Sequence, residues 1–116
     1  MSKPMQEPTF LILTALADGP QHGYGIMSDV AQISAGRTRL RAGTLYAALD
    51  RLQGEGLIAA DREEVVEGRL RRYYRLTDAG RRAAGAEARR LEVLVRTARS
   101  RRLLGHPTPG TQGGAA

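Results

Sequence analysis

The 116-residue chain contains no cysteine, no tryptophan, a single phenylalanine and four tyrosines. Without cysteine, the chain has no disulfide bonds, no thiolate chemistry and no cysteine-based metal site. Because aromatic residues make up only 4% of the chain, leucine, isoleucine, valine and alanine must supply most of one small core. No basic segment leads into an apolar one at the start, and the apolar run at residues 9–17 is far shorter than the ~20 residues of a membrane span. These absences predict a soluble intracellular protein.

The side chains on which most enzymes rely are also sparse. Only two histidines occur, His22 and His106, and no group of histidine, aspartate or glutamate has the spacing of metal ligands. Neither a serine–histidine–aspartate set nor a glycine-rich phosphate loop is present. We therefore expect no catalysis, no metal and no cofactor, and look for a binding function.

Positive charge is what the chain has in excess. Its formal net charge is +6, and all 18 cationic residues except Lys3 are arginine. The positive charge lies in residues 37–56, 69–82 and 83–104, whereas the rest of the chain is net acidic. Arginine suits bidentate contacts with phosphate and guanine better than lysine does. Each cluster alone is compatible with a solvated surface, but several clusters together indicate a nucleic-acid partner.

The stretch 42–58 is the most informative part of the chain. Leu45, Leu49 and Leu52 recur at helical spacing, so they share one face of a short helix. The opposite face is small, polar and partly cationic. It carries Thr44, Tyr46, Ala47, Asp50 and Arg51.

Two strands are predicted after this helix. The first begins at Leu57, a flexible tip covers residues 63–68, and the second strand covers residues 69–76. Strict alternation in the second strand predicts that Tyr74 and Leu76 face the core. The outward side then carries Arg69, Arg71 and Tyr73. A helix with a bare polar face followed by an arginine-edged hairpin is typical of a winged helix-turn-helix that enters DNA. The predicted fold is thus mainly α, with a small β-hairpin wing.

Two further helices are predicted ahead of this unit, from about Pro8 to Ala17 and from about His22 to Gln32. The first is apolar nearly all round. Because one helix in so small a domain would not bury every face internally, we expect another subunit to cover part of it. The second helix places these side chains toward the core: Tyr24, Met27, Val30 and Ala31.

A long fourth helix is predicted from an N-cap at Thr77 to about Leu104. A coiled-coil-like seam runs along it, formed by Ala84, Ala88, Leu91, Leu94, Val95 and Ala98. The seam would pack either on the first helix of the same chain or on a second subunit, and the apolar first helix favours the second subunit. The predicted dimer interface comprises Phe10, Leu13, Leu91, Leu94, Val95 and Ala98.

Four motifs occur in an order and spacing that resemble those of the PadR-like transcriptional regulators. They are His22-Gly-Tyr24, Gly43-Thr-Leu-Tyr46, Gly56-Leu-Ile58 and Arg72-Tyr-Tyr-Arg-Leu-Thr77. The resemblance implies a homodimeric repressor that binds an inverted-repeat operator and releases it when a small-molecule effector binds. The residue patterns predict a division into a flexible arm (1–6), a winged helix-turn-helix (7–76), a C-terminal dimerisation helix (77–104) and a disordered, Gly/Pro/Thr-rich tail (105–116). We expect no second domain of the kind found in larger members, and the sequence contains no tryptophan of the kind that some short members use to hold planar drugs.

The residues expected to contact double-stranded DNA are Arg39, Arg41, Thr44, Tyr46, Ala47, Arg51, Arg69, Arg71 and Arg72. Of these, Arg51 would either read a guanine edge or pair with Glu55, its neighbour one helical turn on. An effector cavity would be lined by Phe10, Leu13, Leu91 and Val95, with a filled interface as the alternative. The competing functions are a non-specific nucleoid protein, an RNA-binding protein and a protein-interaction module.

Overall fold

The computed structural model describes residues 4–105. Its elements are α1 (Glu7–Ala15), β1 (Gln21–His22), α2 (Gly23–Ile33), α3 (Ala42–Gly54), β2 (Ile58–Val66), β3 (Arg69–Leu76) and α4 (Asp78–Ser100). This is a winged helix-turn-helix with a long C-terminal helix, which confirms the predicted fold. None of the helices in residues 4–105 combines the length and the apolarity needed to cross a membrane. The predicted tail at 105–116 lies, apart from its first residue, outside the described residues, as does the start of the predicted arm.

Helix α1 lies at the centre of the core. Most of its apolar side chains are buried, including Ile12 and Leu13 at 0% exposure, while Phe10 is partly exposed and Pro8, in the first turn, is exposed. The expectation that α1 needs another subunit to cover it is therefore wrong. The chain returns along α4, so that α1 contacts α2 on one side and α4 on another.

The core face of α3 is the predicted one, because Leu45, Leu49 and Leu52 are all fully buried. The core face of α2 matches the prediction only in part. Val30 is buried and Met27 packs against the core, as predicted, but Tyr24 is 66% exposed and the buried Ile26 was not in the predicted set. Helix α2 thus presents the face of Ile26 and Val30 to α1 and α3 and leaves Tyr24 at the surface.

A three-stranded antiparallel sheet forms in the order β1-β3-β2. Strand β1 was not predicted, and its Gln21 and His22 pair with Tyr74 and Tyr73 of β3. His22 therefore lies in a strand and caps α2, whereas the sequence pattern placed it inside that helix.

The wing consists of β2, β3 and the turn that joins them. The turn is shorter than predicted, because the β2–β3 pairing continues as far as Val66 opposite Arg69. Glu67 and Gly68 close the hairpin with φ angles of 53° and 78°, the backbone of a type I′ turn.

Helix α4 begins and ends with identifiable caps. The Thr77 hydroxyl accepts a hydrogen bond from the Gly80 N–H at 3.0 Å, as predicted for an N-cap. At the other end Arg102 is left-handed, with φ of 66°, and the Leu103 N–H donates to the Ala98 carbonyl at 2.9 Å. This Schellman-type closure ends the helix at Ser100, four residues before the predicted end.

Candidate nucleic-acid interface

The wing and the start of the helix-turn-helix enclose an open groove of about 430 Å³, called here the wing groove. Its helical side is lined by His22, Gly23, Tyr24 and Tyr46. Its wing side is lined by Val66, Glu67, Arg69, Leu70, Arg71 and Arg72. The structure thus brings Tyr46 of α3 together with three arginines of β3, all of which the sequence placed in the DNA-contacting set.

Tyr46 owes its position to Gly23. A Cβ atom at Gly23 would lie 2.7 Å from the Tyr46 ring carbon Cζ and closer still to its hydroxyl oxygen. The ring therefore packs on the backbone at the start of α2, while 45% of the side chain remains exposed. The glycine of one motif and the tyrosine of another are thus two halves of a single contact.

The three wing arginines differ in how freely they could meet an anion. Arg72 Nε lies 3.2 Å from a Glu63 carboxylate oxygen, and this hydrogen bond raises the pKa of Arg72. Within residues 4–105, neither Arg69 nor Arg71 belongs to an ion pair. The guanidinium groups of Arg69 and Arg71 are therefore not neutralised by a described carboxylate, whereas that of Arg72 is.

Tyr73 holds the base of the wing against the helix-turn-helix, a role that the sequence did not reveal. Its ring meets the His22 ring edge-on at 5.3 Å between centroids, and the Arg62 guanidinium lies 3.9 Å above it. Its hydroxyl donates to a Glu64 carboxylate oxygen at 2.8 Å. The pairing of β1 with β3 brings His22 to Tyr73, whereas Arg62 and Glu64 reach it from β2. The contact with His22 therefore depends on a strand too short to give a periodic signal.

His22 also caps α2, because its Nδ1 accepts a hydrogen bond from the Gly25 N–H at 3.3 Å. Burial lowers the pKa of His22 below its ordinary value of 6.5, and the charge of Arg71 lowers it further, whereas Glu64 raises it. The folded chain therefore favours the neutral imidazole, the form that can accept at Nδ1.

Replacing His22 by alanine is expected to lower the free energy of unfolding by about 1 kcal/mol at pH 7.5, the usual cost of a lost N-cap. Because the folded pKa lies below the unfolded one, the wild-type stabilisation is fully present above pH 6.5 and is lost as the pH falls toward the folded pKa. His22→Asn keeps an acceptor that does not titrate, so its stability should change less between pH 7.5 and 5.5. Urea unfolding of the three proteins across this range measures the difference. Parallel pH profiles for wild type and His22→Asn would contradict this assignment.

The outward side of α3 is exposed along its length, as predicted, including Asp50 and Arg51 near its end. Thr44, Tyr46 and Ala47 are exposed, as is Arg41 at the N-cap position. Arg51 is engaged elsewhere. Its Nη2 donates to Thr9 Oγ1 of α1 at 2.9 Å, and its Nη1 lies 3.5 Å from a carboxylate oxygen of Glu55. Of the two roles that the sequence left open for Arg51, the structure favours the pair with Glu55.

The expected dimer residues fall into two groups. Leu94 and Val95 are 54% and 46% exposed in the single chain, and Phe10, Leu91 and Ala98 are partly exposed. Leu13 is fully buried in the core of its own chain and offers no surface to a partner, which corrects its assignment. Val93, at 52% exposure, adds apolar surface that the seam pattern did not include.

A cavity of about 320 Å³ lies between parts of α1 and α4. Its lining comprises Met5, Glu7, Phe10, Leu11, Glu87, Arg90 and Leu91. The Glu87 carboxylate is only 7% exposed, accepts from the Met5 N–H at 3.3 Å and pairs with Arg90, whose hydrogen bond lowers the pKa of Glu87. Of the four residues predicted to line an effector cavity, Phe10 and Leu91 do so, whereas Leu13 and Val95 do not. In the part of the chain that the structure describes, no three acidic or histidine side chains are grouped to hold a metal ion.

The fold and the wing groove together define a DNA-binding protein of the winged-helix class. Residues 12–86 match the Transcriptional regulator PadR-like family, and the chain belongs to this family. It is a transcriptional regulator. It is 41% identical over 85 residues to Transcriptional regulator Rv3488 of Mycobacterium tuberculosis, a match that covers 73% of this chain and 76% of that protein.

Solved structures share the fold. A PadR family transcription regulator from Clostridium difficile superposes with a TM-score of 0.68 at 24% identity, covering 82% of this chain and 97% of that one. Bacillus subtilis PadR, solved in complex with operator DNA, superposes with a TM-score of 0.61 at 22% identity, covering 92% of this chain and 52% of that one.

Proposed function

We propose that this regulator is a homodimeric repressor that binds an inverted-repeat operator on the bacterial chromosome in the cytoplasm. The observation that carries the proposal is the wing groove, which three wing arginines line together with Tyr46 of α3. The likeness to Bacillus subtilis PadR, itself solved with operator DNA, supports DNA as the partner.

The two sides of the groove would contribute differently to binding. Arg69 and Arg71 would neutralise phosphates and release counterions, which gives affinity without sequence preference. The start of α3 would enter the major groove, where Thr44, Tyr46 and Ala47 would meet base edges. Arg39 and Arg41, just before α3, would contact the flanking backbone. Specificity is thus expected from α3 and salt dependence mainly from the wing.

The exposed apolar stripe of α4 supports the dimer. Leu94 and Val95 would pack on the same residues of a second copy about a two-fold axis. Two symmetry-related recognition helices would then read half-sites about one helical turn of DNA apart, which requires an inverted repeat.

The cavity between α1 and α4 supports a regulatory effector. Its volume of about 320 Å³ is that of a small-molecule site, and its lining combines apolar side chains with the Glu87–Arg90 pair. An amphipathic molecule bound there would change the spacing of α1 and α4, and hence of the two recognition helices. Release of operator DNA by such a molecule would follow from that change.

Fluorescence anisotropy tests the function. It measures the affinity of the protein for DNA from immediately upstream of its own gene and for a scrambled duplex, at about 150 mM salt. Operator binding is expected to exceed scrambled binding by about 10³-fold or more. The logarithm of the association constant should also fall linearly with the logarithm of the salt concentration.

Equal and weak binding to both duplexes calls for selection of bound sequences from the whole genome. A selected inverted repeat would place the operator elsewhere. Failure to select any sequence would favour the alternative, a non-specific nucleoid-type or RNA-binding protein, which the same basic wing would serve.

A further inference from the structure

Tyr24 is the most exposed aromatic side chain in the described part of the chain, and no other structural role accounts for it. It occupies the first turn of α2 and is 66% exposed, while Ile26 and Val30 provide the core contacts of that helix. A tyrosine presents an apolar ring and a hydroxyl that both donates and accepts hydrogen bonds. Its exposure beside a binding groove is therefore typical of a residue that meets a partner.

Tyr24 lines two grooves at once. One is the wing groove, and the other, of about 330 Å³, is called here the loop groove. The loop groove is lined by Tyr24, Met27, Ser28, Ala31, Arg39 and Leu40. Tyr24 therefore forms the ridge between the wing groove and the loop that leads into α3.

Arg39 is the charged member of the loop groove, whose lining includes no acidic residue. Its guanidinium is held over Gly36, where an added Cβ would lie 3.2 Å from Nη2. Gly36 is left-handed, with φ of 82°, so the loop turns sharply at this point. Arg39 thus supplies one positive charge to the groove that Tyr24 also lines, and within residues 4–105 Arg39 belongs to no ion pair.

We propose that Tyr24 and Arg39 form a second contact with the DNA backbone, next to the contact made by the wing. The Tyr24 hydroxyl donates to one phosphate, and the Arg39 guanidinium pairs with a phosphate across the loop groove. Both contacts position α3 in the major groove and carry no sequence information of their own. The inference rests on the proposed operator binding and adds Tyr24, which the helical pattern assigned to the core.

The test measures the DNA affinity of Tyr24→Phe, Arg39→Gln and the wild type. Each protein is titrated with the operator duplex and with a scrambled duplex, between about 50 and 200 mM salt. Tyr24→Phe removes only the hydroxyl and should weaken binding to both duplexes by about 3- to 10-fold with an unchanged salt slope. Arg39→Gln should weaken binding to both and reduce the salt slope by about 1. Arg101→Gln, an exposed arginine beyond the end of α4, is the matched control and should bind like wild type.

Circular dichroism melts of the variants should superpose on that of the wild type, since both side chains are exposed. Wild-type affinity in both Tyr24→Phe and Arg39→Gln would overturn the inference while leaving operator binding intact. A loss confined to the operator duplex would also overturn it, because it would indicate base reading. If the wild type binds neither duplex, the proposed function is wrong, and this inference is then wrong as well.

Discussion

Gly80→Ala is expected to lower the free energy of unfolding by about 3 kcal/mol, the upper part of the range for overpacking a core. Gly80 is buried in the first turn of α4. An added Cβ would lie 2.8 Å from Leu76 Cδ1 and would overlap the carbonyl oxygen of Leu57. That carbonyl accepts the Thr77 N–H at 3.1 Å, so it is held in place and has little freedom to move aside.

Gly85 provides the matched control for this substitution. It lies on the same helix, and the nearest atom to an added Cβ is Arg89 Nη1, at 3.7 Å. Gly85→Ala should therefore raise the free energy of unfolding by about 0.5 to 1 kcal/mol, through helix propensity alone. Urea unfolding followed by circular dichroism measures both. If Gly80→Ala were as stable as Gly85→Ala, α4 would not be seated against Leu57 in the way the structure describes.

A double substitution on α4, Leu94→Glu with Val95→Glu, is expected to separate the dimer and to weaken operator binding by about 100-fold or more. Both side chains are about half exposed in the single chain, so the fold should survive. Placing four carboxylates at a two-fold axis would oppose association, since like charges repel and burying them is costly. Operator binding would then lose the gain of two linked recognition helices, which typically reaches 10² or more.

Sedimentation equilibrium and fluorescence anisotropy measure the two effects together. The wild type should sediment at twice the chain mass of 12.6 kDa, and the variant at the chain mass itself. Leu103→Glu, which changes a residue that is 77% exposed beyond the end of α4, is the control and should stay dimeric. A variant that remains dimeric would show that the interface lies elsewhere.

Several features of this protein follow from local sequence patterns. The spacing of Leu45, Leu49 and Leu52 predicts the buried face of α3, and the alternation in residues 69–76 predicts the second wing strand. The cap at Thr77 predicts the start of α4. Each of these signals is local, because the side chains that form it lie within a few residues of one another. The motifs built on them also suffice to indicate the family.

Local sequence patterns reveal only part of the candidate interface. The arginine pattern marks Arg69 and Arg71, but it does not show that Glu63 engages Arg72 or that Thr9 engages Arg51. Those partners lie 9 and 42 residues away in the sequence, so only the folded chain brings them together.

The tertiary structure alone decides the remaining features. Whether α1 is covered depends on α4 returning across it, which no pattern within α1 records. Strand β1 has two residues, too few for an alternation to appear, and exists because β3 offers it a partner. Tyr24 lies at helical spacing with core residues, and its exposure follows from the way α2 packs on α1 and α3. The sequence by itself determined the four helices, the two wing strands and the class of protein, because these depend on short-range periodicity. Strand β1, the burial of α1, the exposure of Tyr24 and the partners of each charge depend instead on contacts between distant segments.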